Sequence, residues 1–299
     1  MSAHPLHALL GPAAQNPAIN LLRMAQLANP GMRGLDAETL RLMRLQVAEG
    51  VFSGVAQAPL WPVLAQGLMG LKPSRMLRTL RECGALKAVL PEVAALFGVP
   101  QSADDPAVVD IGEHLLRVVD EAARAGAPLP VRFAALAMNV GKADSPPEHL
   151  PAHYRHLERG APRIEALCDR LGVPEDCREL ALLGLAEVER VHRAARMRAG
   201  AMAAMLERVD AFGRPGRFEQ LLQLCTCDFD AYPRRAWRRY AKADLLRAGL
   251  MACEGIDPMD LADEGDAGEP AMALLNARAA AIAAALCSER WADPADQVA

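Results

Sequence analysis

Glycine and proline cut this chain into helix-length apolar runs, and that punctuation limits the fold more than any other feature. Asn16 followed by Pro17 reads as an N-cap with proline at the first helical position, and the run continues through Leu27 toward Gly31. Asp36 caps a second run ended by Gly50. Further helices are expected from Trp61 to Met69, Ser74 to Cys83 and Pro91 to Phe97, closed by Gly70, Gly84 and Gly98. Beyond a polar linker at Pro100–Pro106, helices are expected near 107–125, 130–140, 151–172, 175–195, 199–211, 215–227 and 233–252. An acidic stretch, Asp257–Pro270, precedes a last helix at about 271–288. No apolar–polar alternation persists long enough to argue a sheet, and no fixed-period repeat is present. The expected fold is all-α.

Composition supports that reading. Hydrophobic residues are 52% and aromatics only 4%, so the core must be built from Ala, Leu, Val and Met, and Ala and Leu are strong helix formers. A net charge of −4 gives no global attraction to phosphate, which leaves only local basic faces for nucleic acid. The seven cysteines have no regular spacing, which suggests reduced core thiols and not a disulfide framework. Cys225 and Cys227, two apart in a helical pattern, should point to different faces. The N-terminus lacks a basic region followed by a long apolar stretch, and Arg278–Cys287 is too short to span a bilayer. No membrane association is expected, and cytoplasm is the expected location.

The chemistry-bearing residues lie in one stretch: Asp110 to His114, then Arg132 to Lys142 with Met138–Asn139 ahead of Gly141, then Pro146–Glu148, His153 and His156, and finally Asp228. Their order and spacing resemble the HD domain of bacterial CCA-adding tRNA nucleotidyltransferases. The resemblance continues on both sides. Gln15–Arg23 looks like the family's neck, and Leu80–Leu86, Leu90–Glu92 and Leu96–Pro100 look like its body helices. Asp210–Pro215, Glu219–Leu221 and the tail around Arg278 are also similar. It implies a neck/body-like helical region at 1–100, a degenerate HD-type domain at 101–255, and an acidic linker with a C-terminal helix at 256–299.

Two departures shape the functional expectation. The family's head, with its Gly-rich loop and magnesium-holding carboxylates, is expected to be missing, because Met1 stands only a few residues before the neck. In the neck, Gln15 and Asn16 take acidic positions and Arg23 is the arginine clearly kept. Further on, Met138 and Asn139 stand where the family has His and Asp, and Val188 where it has another histidine. A thioether and a neutral amide are poor ligands for a hard divalent ion that must activate water. His114 and Asp228 remain as a weak remnant, so neither metal nor cofactor is expected, with a divalent metal as the alternative.

Each residue also has a plainer reading, which its neighbours in the sequence favour. His114, between Ile111, Leu115 and Val118, reads as a semi-buried histidine, and Asp228 as a partner of backbone or of His114. Met138, seven residues after Val131, is placed to fill vacated space. His153 and His156, three apart on an expected helix, read as exposed polar positions, with anion contact as runner-up. Lys142 reads as a solvated lysine, with phosphate contact close behind.

Basic residues cluster at Lys72–Arg81, at Arg190–Arg198 and at Tyr232–Lys242. The last interleaves cations with aromatics, which suits RNA, and its Arg234, Arg235, Trp237, Arg238 and Arg239, with Arg23, are the candidate RNA contacts. The resulting expectation is a catalytically silent paralogue that binds tRNA or other RNA, or regulates. The alternatives are a residual phosphohydrolase, the body half of a split enzyme, and a structural module with a protein partner or a second copy of itself.

Overall fold

The computed structural model describes residues 16–28, 35–103, 107–233, 235, 239–256 and 270–286. Among these residues it is built from helices with a single two-stranded hairpin. The first six helices are α1 (Pro17–Gln26), α2 (Ala37–Ala48), α3 (Trp61–Leu68), α4 (Pro73–Glu82), α5 (Ala85–Val89) and α6 (Pro91–Ala94). Asn16 caps α1 by accepting from the Ala18 amide at 3.0 Å, and Asp36 caps α2 through Thr39 at 2.8 Å, as the sequence leads one to expect. α4 begins differently. Its own N-cap, Lys72, makes no side-chain cap; Asp120, far along the chain, instead accepts from the Ser74 amide and hydroxyl at 3.0 and 2.7 Å.

The remaining helices are α7 (Ile111–Arg124), α8 (Leu129–Ala137), α9 (His156–Leu171), α10 (Glu175–Val191), α11 (Ala199–Arg208), α12 (Pro215–Asp230), α13 (Ala241–Ala252) and α14 (Pro270–Leu286). α8 is the centre: every residue from Pro130 to Ala137 is buried, and α7, α10 and α12 pack around it. α3 meets α8 and α4 meets α7, so the apolar core runs without interruption across residue 100. Arg132 reinforces that junction, donating from inside the protein to the carbonyls of Ala127, Leu68 and Gly70 at 2.8–2.9 Å. Arg170 adds a second tie, gripping Glu92 with one nitrogen at 2.8 and 2.9 Å and donating to the Val89 carbonyl with the other.

Several expected boundaries differ. Pro100–Ser102 (β1) pairs antiparallel with Val108–Asp110 (β2), so part of the expected linker and the start of the expected 107–125 helix form a hairpin. Three residues per strand are too few to show a period of two. α9 begins at His156, not 151, because Arg155 just ahead of it takes a left-handed backbone (φ 56°) that cannot belong to a right-handed helix. α13 begins at Ala241, not 233. The six described cysteines are free and buried, and burial pushes the Cys168 thiol up to about 11 and Cys177 and Cys227 to about 12. Cys287 lies outside the described residues. Among the described residues no helix is long and apolar enough to cross a membrane.

Candidate functional site

α7, α8, α10 and α12 converge on Asp228. Gly184 permits the closest approach, since a Cβ there would meet Leu224 Cδ2 of α12 at 2.8 Å. His114 on α7 is wholly buried and donates from Nε2 to Asp228 Oδ1 at 2.9 Å. His192, which caps the C-terminus of α10, donates from its Nε2 to Asp228 Oδ2, also at 2.9 Å. With Nε2 donating, the neutral His192 ring accepts at Nδ1 from the Tyr240 hydroxyl, 2.7 Å away. The Tyr232 ring lies 4.3 Å from His114, centroid to centroid, and covers it. Burial alone would raise the Asp228 carboxyl, but the His114 and His192 imidazoles hold it well below the usual carboxylate range.

Beside Asp228 is a cavity of about 340 Å³. Met138, Asn139, His153, His156 and Val188 all line it, so the structure brings together every residue of the expected constellation, with His114 seated behind Asp228. Met138 does occupy apolar space there, being 4% exposed.

The plainer readings of three residues need correction. Lys142 is 6% exposed and not solvated: it donates to Gln101 Oε1 at 2.7 Å and pairs with Glu189 at 3.1 Å. His153 precedes the helix and donates from Nε2 to the Pro100 carbonyl at 3.0 Å, while Nδ1 accepts from Ser145 at 2.8 Å. His156 donates from Nδ1 to the His153 carbonyl at 2.7 Å. Both imidazoles are half-buried and internally engaged, not exposed. Burial first, and Lys142 second, hold both below the ordinary histidine value, even though Glu189 lies 3.4 Å from His156 Nε2.

Sequence reasoning gave no site role to His192, Glu189, Gln101 or Tyr240. The signal for His192 was available: it follows Val188 by one helical turn and therefore shares its face. The other three depend on chain segments meeting in space.

These donors do not fit a divalent ion. Two of the expected ligand positions carry a thioether and a neutral amide, and His114 and His192 sit on different oxygens of one carboxylate. Among the described residues no group of three or more His, Cys, Asp or Glu side chains is arranged as a metal site. Of the candidate RNA contacts, Arg23 is exposed on α1, and Arg239 is exposed with its Nε 2.6 Å from Asp244. Arg235 lies over the rings of Phe229 and Tyr232, at 4.9 and 5.0 Å. Arg234, Trp237 and Arg238 lie outside the described residues.

No family model matches the chain. Curated proteins named Multifunctional CCA protein are similar to it. That of Paraburkholderia phytofirmans is 44% identical over 243 residues, which is 80% of this chain and 58% of that protein. That of Dechloromonas aromatica is 43% identical over 256 residues (85% and 62%), and that of Burkholderia mallei 41% over 281 residues (93% and 68%). The class is thus defined: the chain is related to the C-terminal portion of CCA-adding tRNA nucleotidyltransferases. It belongs to the multifunctional CCA protein family, and it spans about three fifths of the length of the first two of these relatives.

Proposed function

We propose that this chain is a catalytically silent member of its family that binds tRNA or a related RNA. The observation that carries the silence is the state of Asp228. Both its oxygens accept from imidazoles, and its neighbours Met138 and Asn139 supply neither charge nor imidazole nitrogen. With one imidazole N–H on each oxygen and a thioether and a neutral amide beside it, Asp228 lacks the companion ligands that would hold an ion and activate a water. Support for RNA comes from the family relationship and from exposed cations such as Arg23 and Arg239. The division into a neck/body region, an HD-type region beginning near 101 and a C-terminal helix beyond 256 belongs to the same proposal.

The test is anisotropy of labelled tRNA, intact and lacking its 3′ CCA, at low and moderate salt. Salt-sensitive binding that weakens when Arg23 and Arg234–Arg239 are neutralised is the expected result. Absence of binding at low salt would remove the RNA reading and leave a protein partner or a second copy of the chain as the object of search. Hydrolysis of a phosphomonoester or a cyclic nucleotide by metal-supplemented protein would sink the silence.

A further inference from the structure

The β1–β2 hairpin stands against the cavity beside Asp228 and contributes Gln101 and Ser102 to its lining. Polar side chains hold it there. Gln101 is the hub: its Oε1 accepts from Lys142 Nζ at 2.7 Å, and its Nε2 donates to the Tyr232 hydroxyl at 3.3 Å. The Pro100 carbonyl accepts from His153 Nε2 at 3.0 Å. Of the strand residues, only Val109 is buried; Ser102 and Val108 are exposed. One buried valine supplies little apolar area to keep the hairpin in place, and segments with so few buried contacts open at low cost.

The base of the hairpin is built differently. The Val99 carbonyl accepts from the Ile111 amide at 2.9 Å and the Leu96 carbonyl from the Gly112 amide at 3.1 Å, and neither Leu96 nor Ile111 has any exposure. The Asp110 carboxylate ties the two sides together, accepting from the Gly98 amide on one oxygen and the Glu113 amide on the other. Gly98 has φ +88°, a region glycine enters without a Cβ penalty, and the space a Cβ would take is open. The hairpin is thus anchored in the core at one end and latched by three replaceable hydrogen bonds at the other. Those are the parts of a hinge.

We propose that the hairpin is a lid that turns about Gly98 and the Val99–Ile111 pair, with Gln101 as its latch. Closed, it covers Lys142, which is 6% exposed and pairs on its other side with Glu189 at 3.1 Å. Open, it frees the ammonium group from Gln101 and presents it to water. The hydration that the buried charge regains offsets the bond it loses, which keeps the two states close in energy. The lid needs neither RNA binding nor the loss of catalysis.

The experiment is labelling of the full chain at neutral pH with trace acetic anhydride and with iodoacetamide, read by mass spectrometry. The exchange of the His153 Nε2 proton with water, read by NMR, runs beside it. Lys142 should acylate about tenfold more slowly than the exposed Lys87, or slower still. It should do so while Cys168 and Cys225, wholly buried in α9 and α12, stay unalkylated. Gln101→Ala should raise Lys142 acylation and His153 proton exchange together, each by about tenfold. Tyr232→Phe keeps the ring over His114, removes one strut, and should raise both by about threefold. A wild-type Lys142 that reacts as fast as Lys87 overturns the proposal, as does a Gln101→Ala variant that leaves both readouts unchanged. So does either variant moving one readout without the other. Thiols that react in step with Lys142 also overturn it, because only global unfolding would then uncover the lysine.

Discussion

His114 Nε2 and Asp228 Oδ1 stand 2.9 Å apart although the two residues are 114 positions apart in the chain, and the histidine has no solvent exposure. The contact joins α7 to α12 directly, and His192 joins α10 to the same carboxylate. Asp228→Ala strands two imidazole N–H groups, which should cost about 3 kcal/mol or more of stability. Asp228→Asn should not restore it, because the amide presents an N–H to one imidazole N–H. Urea unfolding of the two variants, compared with His114→Ala/Asp228→Ala, measures the coupling.

The pH dependence follows from His153 and His156. Each is held below its ordinary value of 6.5, so the unfolded chain takes up protons that the folded chain refuses. Their contribution is complete above about pH 6.5 and is lost as the pH falls from there. Asp228 is held below its ordinary value of 3.8, so its contribution goes only in stronger acid. Thermal unfolding between pH 7.5 and 5 should therefore show a falling midpoint. Replacing both histidines with glutamine should flatten that slope, and an unchanged slope would locate the titration elsewhere.

Gly141 lies against α9: a Cβ there would press into the His156 carbonyl and come within 2.7 Å of Gly160. Gly141→Ala must push α9 outward and carry His156 away from Glu189. Loss of about 1–3 kcal/mol is expected, with a histidine resonance shift at His156 as the local readout.

Arg132 is buried and donates to three backbone carbonyls. Arg132→Met keeps much of the volume and orphans all three acceptors, a loss of about 3 kcal/mol or more. Hydrogen exchange should show the α3–α4 turn opening first.

Prolonged dialysis against EDTA should leave the unfolding midpoint unchanged, since a bound ion would stabilise the native state by mass action. A drop in the midpoint, reversed by one added metal, would contradict the reading of Asp228.

Much of this was legible in the residues themselves. Asn16 and Asp36 announce helix starts by chemistry that acts within three positions, and Met138–Asn139 reads as a neutral pair because the resemblance puts it where the family has His and Asp. What was not legible depends on distant segments meeting. Lys142 reads as solvated until β1 brings Gln101 over it. His153 reads as helical until Arg155 takes a left-handed backbone and α9 begins behind it. The spacing from Val188 marks His192, but its partner Asp228, 36 residues on, is visible only once α10 and α12 are packed together.

The borrowed cap on α4 bears on the order in which the molecule can be made. During synthesis the first hundred residues emerge before Asp120 exists to bind the Ser74 amide, so the start of α4 must wait, frayed, for α7. A nascent chain halted at residue 100 therefore holds an unfinished helix, and the N-terminal third reaches its final form only when the later helices arrive to complete it.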